Sequence, residues 1–363
     1  MQNLHSNLAK KLPFYYGWLI VGAQFTAVMA TAGPTTWAFG IFAIPMEEEL
    51  GWSRGTLFGG ITVRMVIGVA LMPLVSRLMD NPKWPLLIML STSILYAVSL
   101  MLVALVDTVF QYYLVTGVLG GLSAAGASGG LYQALTPKWF VSKRGRAVAF
   151  GTMGSSLAAL TSPLYVGFFV DSFGWRPAWF LTGVIMFFVM VPFALIVRRQ
   201  PEDIGLLPDG VSETQESRKT KLVTKTDISF TVAQAFKSPT TWFLVVATVL
   251  ISGSLQGLGS TWINNYKDSG LSDESARIAV STYGFFAILG RITWGLLSEK
   301  IHIRKVFLFA CLTTGIPLLL LMQVDSIFVA LLYASLAGLT LGGYVSVQPL
   351  IWADFFGRKN LGA

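Results

Sequence analysis

An all-helical, polytopic membrane fold follows from three features of the 363 residues: their composition, the lengths of the apolar stretches and the placement of the few charges. Hydrophobic residues make up 54% and charged residues 12%, and mean hydropathy is +0.64, values foreign to a soluble domain. Apolar runs recur at lengths suited to about 30 Å of hydrocarbon. None alternates like a barrel strand, and open sheets leave backbone groups unsatisfied in lipid, so helices remain as the way across.

The first stretch, residues 16–44, follows Lys10 and Lys11 without a small-residue cleavage site and reads as a retained span; Gly33 and Pro34 predict a break within it. Residues 54–76 follow Ser53, a helix-cap candidate, and residues 84–106 come after a short polar turn. Residues 109–135 carry glycines at 117, 120, 121, 126, 129 and 130, which predicts close helix contacts. Residues 145–170 and 176–197 complete six spans. A polar segment from Arg198 to about Lys237 has the composition of a flexible linker. Four more stretches follow at 239–263, 274–298, 305–323 and 327–352, the last with Gln348 and Pro349 as an expected break. The expected organisation is a six-helix bundle over 1–197, a cytoplasmic linker over 198–237 and a second bundle over 238–363.

An internal repeat supports that division. Gly51-Trp52-Ser53 corresponds to Gly270-Leu271-Ser272, and Ser76 to Asp80 falls on Gly295 to Glu299 at the same offset. Parallel repeats of this kind imply pseudo-two-fold symmetry about the membrane normal. By that symmetry six helices are expected after the linker, and the stretches run out after four; helices 11 and 12 are expected to be missing.

The 26 Lys and Arg exceed the 18 Asp and Glu, for a net charge of +8. Apart from Arg54, Arg176, Lys267, Arg277 and two arginines inside spans, the cations lie in the amino terminus, alternate loops and carboxyl end. The positive-inside rule therefore predicts a multi-pass protein of the cell membrane with both termini cytoplasmic. No basic-aromatic module stands apart from the helices, so nucleic acid is not an expected partner. Cys311 is alone, and His5 and His302 lie away from any buried base, so neither a disulfide framework nor a metal centre is predicted. No phosphate loop or Ser, His and Asp set appears; neither an enzyme nor a cofactor is expected.

The two mid-span cations are Arg64 and Arg291, while the acids lie at or beyond the ends of the apolar stretches. An unpaired cation in hydrocarbon costs roughly 2.5 to 3.5 kcal/mol on insertion scales. Either the bundle interior is wet or something negative arrives, and the expected partner is a small anion. Arg64 lies about 16 Å along its helix from Ser53, with Gly60 and Gly68 one turn to either side. It has two readings, a structural arginine bonded to neighbouring carbonyls or a group that attracts substrate. Arg291 lies nearer the cytoplasmic exit, with Ala287 and Gly295 on its face.

The motif G-R-I-T-W-G-L-L-S-E-K-I-H-I-R-K at Gly290 to Lys305 resembles the loop motif of the major facilitator superfamily. F-Y-Y-G-W-L-I-V-G-A at Phe14 to Ala23, E-L-G-W-S-R at Glu49 to Arg54 and K-R-G-R-A-V-A-F-G-T-M-G-S-S at Lys143 to Ser156 resemble its monocarboxylate transporter and oxalate:formate antiporter-like branch. The resemblance implies two pseudo-symmetric bundles that transport a small organic anion by alternating access. It also implies that Arg291, followed by Gly295, holds the substrate carboxylate. Proton-coupled animal members carry an acid where this chain has Ala287, and a lysine where Thr35 follows Pro34, so anion exchange or facilitated passage is expected; a proton can travel with the anion as its acid. Helices 1, 4, 7 and 10 line the cavity in the superfamily. On them Thr35, Thr36, Tyr132, Gln133, Trp262, Asn264, Tyr344 and Gln348 are candidate substrate contacts beside Arg64 and Arg291. Asp80, Gly295, Glu299, Arg304 and Lys305 form the gating and loop-motif set, with Asp80, Glu299 and Asp354 as expected inter-bundle latches. The alternatives are an exporter of hydrophobic compounds, which calls for a mid-span acid, and a non-transporting sensor or truncated remnant.

Overall fold

The computed structural model describes residues 12–79, 81, 84–127, 129–140, 143–210 and 237–356, and among them there are no strands. Their helices form ten rods. The first, α1, comprises Gly17–Ala32, a π-type turn at Gly33–Trp37 and Phe39–Leu50. Next come α2 (Arg54–Leu78) and α3 (Trp84–Val103). The rod α4 runs through Val109–Tyr112, a π-type stretch at Tyr113–Leu119, Gly120–Ala127 and Gly129–Trp139. After α5 (Arg144–Phe173) and α6 (Trp175–Ile196) comes the linker. Beyond it lie α7 (Pro239–Asp268), α8 (Asp273–Lys300) and α9 (Ile303–Thr314 with Ile316–Leu321). The last rod, α10, comprises Ile327–Ala337, a π-type turn at Gly338–Gly342 and Gly343–Phe356. Among the described residues eight rods are long and apolar enough to cross a membrane, and α1 qualifies as a ninth if its two bent parts count as one span.

Local chemistry explains the ends and bends. Ser53 and Ser272 both cap as expected, their Oγ atoms accepting from the amides of Thr56 (3.1 Å) and Ser275 (3.2 Å). The preceding glycines of the repeat, Gly51 and Gly270, have φ of 67° and 89°, which only glycine adopts without strain. In α1 the π-type turn begins at Gly33 and Pro34, where the sequence predicts a break, and the 43° bend follows it, between Gly17–Trp37 and Phe39–Leu50. In α10 the expectation fails. The helix runs unbroken through Pro349, and the irregular turn lies earlier, at Gly338–Gly342. There a Cβ at Gly338 would stand 2.7 Å from the Phe286 side chain, and one at Gly342 2.6 Å from Ala287. Packing against α8, and not the proline, sets the distortion.

Packing in lipid gains little from the hydrophobic effect, because acyl chains are as apolar as leucine; close van der Waals contact between small residues takes its place. A Cβ at Gly154 would collide with the Phe25 carbonyl, bringing α5 against α1, and one at Gly183 would sit 2.8 Å from the Ala97 carbonyl, bringing α6 against α3. The longest seam is antiparallel, between α5 and α8. At one end Gly167 lies under the Arg277 guanidinium, in the middle Gly284 meets the backbone of Leu160, and at the other end Gly295 meets Ala149. Large apolar side chains point outward, among them Phe188, Phe243 and Phe328. We call the side where α6 ends and α7 begins the linker face, and the side of the α1–α2 and α7–α8 turns the far face.

Gly284→Val should pry the α5–α8 seam apart. Overpacking of this kind costs about 1–3 kcal/mol, and the expected outcome is a lower apparent Tm of the purified protein in detergent. Wild-type melting of this variant would show that the seam tolerates a side chain there.

Candidate functional site

Two layers close the far face. The turn at Gly33–Trp37 places Trp37 with its ring 5.6 Å from Trp262 and 5.1 Å from Tyr283. Trp262 in turn meets Tyr283 at 4.7 Å and Tyr333 at 5.6 Å, so α1, α7, α8 and α10 converge on one aromatic plug. Outside the plug lies a belt of ion pairs. Arg54 pairs with Glu47 (3.0 Å) and with Asp268 (3.1 Å), tying α2 to α7. Arg277 grips Asp171 with both terminal nitrogens, Nη2 at 2.9 Å, tying α8 to α5. Lys267 pairs with Asp273 at 2.8 Å. A cavity of about 230 Å³ opens here, lined by Pro45, Glu48, Asp171, Lys267 and Arg277 among others.

Arg291 lies on the linker side of the plug, two turns past Tyr283, which is near enough to interact with it electrostatically. The register of the seam, Gly284 at Leu160 and Gly295 at Ala149, carries Arg291 to the level of Met153. It is 2% exposed, and its Nε and Nη1 have no hydrogen-bond partner. A buried charge is ordinarily paired, so a guanidinium with two unpartnered nitrogens between two helices is a poorly satisfied group. Ala287, one turn earlier, is pressed against Gly342. It offers no carboxylate there.

Arg64 is placed differently. It is 7% exposed, and its Cζ lies 4.9 Å over the Tyr96 ring, a cation–π contact. Its stem lies on Gly120, where a Cβ would be 3.2 Å from Cδ. The hydroxyls of Tyr96 and Tyr112 donate to the carbonyls of Ala30 (3.0 Å) and Leu57 (2.7 Å). Arg64 is thus surrounded by α2, α3 and α4, whereas Arg291 lies in the α5–α8 seam; the two arginines have different neighbours.

The remaining expected residues divide in the same way. Thr35 and Thr36 are buried in the α1 turn, and Trp262 is in the plug. Asn264 is buried beside it, its Oδ1 without a donor and close to Gly40. Tyr132 is buried in α4, while the Gln133 side chain lies outside the described residues. Tyr344 packs on Phe307, rings 5.9 Å apart, in a separate apolar cluster with Trp294 and Ile351, and Gln348 is half-buried. In the loop-motif set Asp80 and the Glu299 side chain lie outside the described residues, Gly295 packs on Ala149, and Lys305 is exposed. Arg304 pairs with Asp354 at 2.9 Å and stacks on Phe355 at 4.2 Å. That pair joins α9 to α10, both beyond the linker. The described ion pairs that bridge helices before and after the linker are on the far face, at Arg54–Asp268 and Arg277–Asp171. Trp37, Tyr283, Tyr333 and Asp171 escaped the sequence reading. Only the matching depths of Asp171 and Arg277, each near the far end of its span, could have signalled one of these contacts.

A many-span helical membrane protein, plugged by aromatics on one side and holding an unpartnered cation beneath, has the build of a membrane transporter. The sequence matches the Major Facilitator Superfamily over residues 20–272 and 244–363, and the chain belongs to that family. It is 24% identical over 350 residues to MFS transporter asaE of Aspergillus flavus, covering 95% of this chain and 74% of that protein. It is 24% identical over 336 residues to the oxalate:formate antiporter of Oxalobacter formigenes, covering 91% of this chain and 75% of that one. Its fold is similar, with a TM-score of 0.62 and 15% identity, to a bacterial homologue of the human lysosomal transporter Spinster in an inward-facing, unoccupied state, covering 96% of this chain and 77% of that one.

If the far-face belt holds this closure, Asp171→Asn with Asp268→Asn should loosen it. In a Cys311→Ser background, labelling of a cysteine at Ser281 by a membrane-impermeant maleimide from the far side is expected to rise at least threefold. Unchanged labelling would assign the closure to the aromatic plug alone.

Proposed function

We propose that this transporter moves a small organic anion by alternating access, with Arg291 as the carboxylate clamp. The observation that carries the reading is the burial of Arg291 with Nε and Nη1 unpartnered. A guanidinium presents parallel N–H donors that match the two oxygens of a carboxylate and stays charged when dehydrated. Two of these donors, Nε and Nη1, have no partner within the protein, so a carboxylate reaching them gains a charge-assisted pair without displacing an internal one. The antiporter relative named for oxalate and formate agrees with this chemistry. An exporter of cationic or hydrophobic compounds needs an acid or an apolar lining at that depth, and Ala287 offers no acid.

In this reading residues 1–197 and 238–363 are two bundles that rock about the α5–α8 seam, and residues 198–237 tether them. The linker face is cytoplasmic, with both termini on that side of the cell membrane. The aromatic plug and ion-pair belt hold the outer side closed, and separation of Gly295 from Ala149 at the inner end of the seam exposes Arg291 to the cytoplasm. Exchange or facilitated passage of the anion fits better than proton relay. A proton that crosses does so on the anion.

Uptake and counterflow of labelled oxalate, formate, lactate and pyruvate into proteoliposomes test the proposal, and transport of at least one is expected. Arg291→Ala should reduce that transport about a hundredfold, because hydrogen bonds to a charged group contribute about 1.5–3 kcal/mol and 1.4 kcal/mol is tenfold. Arg291→Lys, which keeps a point charge but loses the fork, should fall between the two. No counterflow of any of the four anions, or full activity in Arg291→Ala, would overturn the assignment.

A further inference from the structure

Proline at position 34 creates a problem that α1 does not solve by itself. Without an N–H, Pro34 cannot donate to the carbonyl of Ala30, which is its α-helical acceptor. Ala30 is fully buried, and a carbonyl without a donor is costly in such surroundings. The donor comes from another helix: the Tyr96 hydroxyl on α3 reaches the Ala30 oxygen at 3.0 Å. Tyr96 is itself fully buried, with the Arg64 guanidinium 4.9 Å over its ring and Arg64 and Thr35 beside its hydroxyl. The Thr35 hydroxyl meanwhile donates to the Thr31 carbonyl at 2.6 Å. Past the break the chain resumes one residue out of α register, the Ala38 amide reaching the Gly33 carbonyl at 2.9 Å. That extra residue is what turns Trp37 toward Trp262 and Tyr283.

We infer that Tyr96 is a positioning residue for the transport path: its hydroxyl replaces the donor that Pro34 lacks, Arg64 holds it there, and together they fix the α1 break that sets Trp37 in the plug above Arg291. This gives Arg64 a task that needs no contact with cargo. The inference does not depend on which anion is carried, or on whether an anion is carried at all.

The test is a double-mutant cycle read without any substrate. Tyr96→Phe keeps the ring and its contact with Arg64 and removes only the hydroxyl, while Pro34→Ala restores an N–H for Ala30. In the Pro34 chain, Tyr96→Phe is expected to speed hydrogen–deuterium exchange across residues 33–38 at least tenfold. It should also raise far-side labelling of a cysteine at Ser281, in the Cys311→Ser background, at least threefold. In the Pro34→Ala chain the same change should alter each readout less than twofold. A generic packing role for Tyr96 would give equal effects in both backgrounds, and that result, or no effect in either, overturns the inference. Should Tyr96→Phe fail to fold, Arg64→Met provides a second arm, expected to speed exchange over 33–38 only when Pro34 is present. Equal exchange with and without Pro34 in that arm overturns it too.

Discussion

Inside a bundle surrounded by hydrocarbon, water is not available to finish hydrogen bonds, so every carbonyl and every cation has to be answered by the protein or by a ligand. Much of this structure can be understood as answers to that one demand. The carbonyl released by Pro34 is met by Tyr96 across a helix boundary. Arg64 is met by the face of the Tyr96 ring. Arg277 is met by Asp171 at the far face. Arg291 is left with two unpartnered nitrogens, which is why it is the proposed clamp.

The same shortage of solvent sets how the helices meet. Where burial of apolar area brings little gain, contact distance decides, and glycines put backbone against backbone at Gly154, Gly183, Gly284 and Gly338. The α5–α8 seam combines this with charge in a graded way. Its far end is fastened by an ion pair, and at its linker end a Cβ on Gly295 would stand 3.5 Å from Ala149. Arg291 sits toward the linker end, the end that separates in the proposed cycle.

The two arginines also show how far residue type alone can be carried. From position they look like a matched pair of mid-span cations. In the fold Arg64 lies among α2, α3 and α4 over a neighbouring tyrosine ring, while Arg291 lies in the seam with Nε and Nη1 unpartnered. Arg304 and Asp354 show that a basic and an acidic residue at one face can be joined between adjacent helices, α9 and α10.

The helices, their order, both serine caps and the break at Gly33 and Pro34 were legible in the chain itself, because span length, cap chemistry and the missing proline N–H act over a few residues. The candidate cations were legible too, since a charge within an apolar run is conspicuous without coordinates. Which cation goes unanswered was not. That depended on Tyr96 reaching Ala30 and Arg64, on Asp171 reaching Arg277, and on Trp37 meeting Tyr283, contacts between residues far apart in sequence. Nor did the chain disclose that α10 would bend at Gly338–Gly342 and pass straight through Pro349, because a helix yields where a neighbour presses on it, and only the tertiary structure brings α8 to that point.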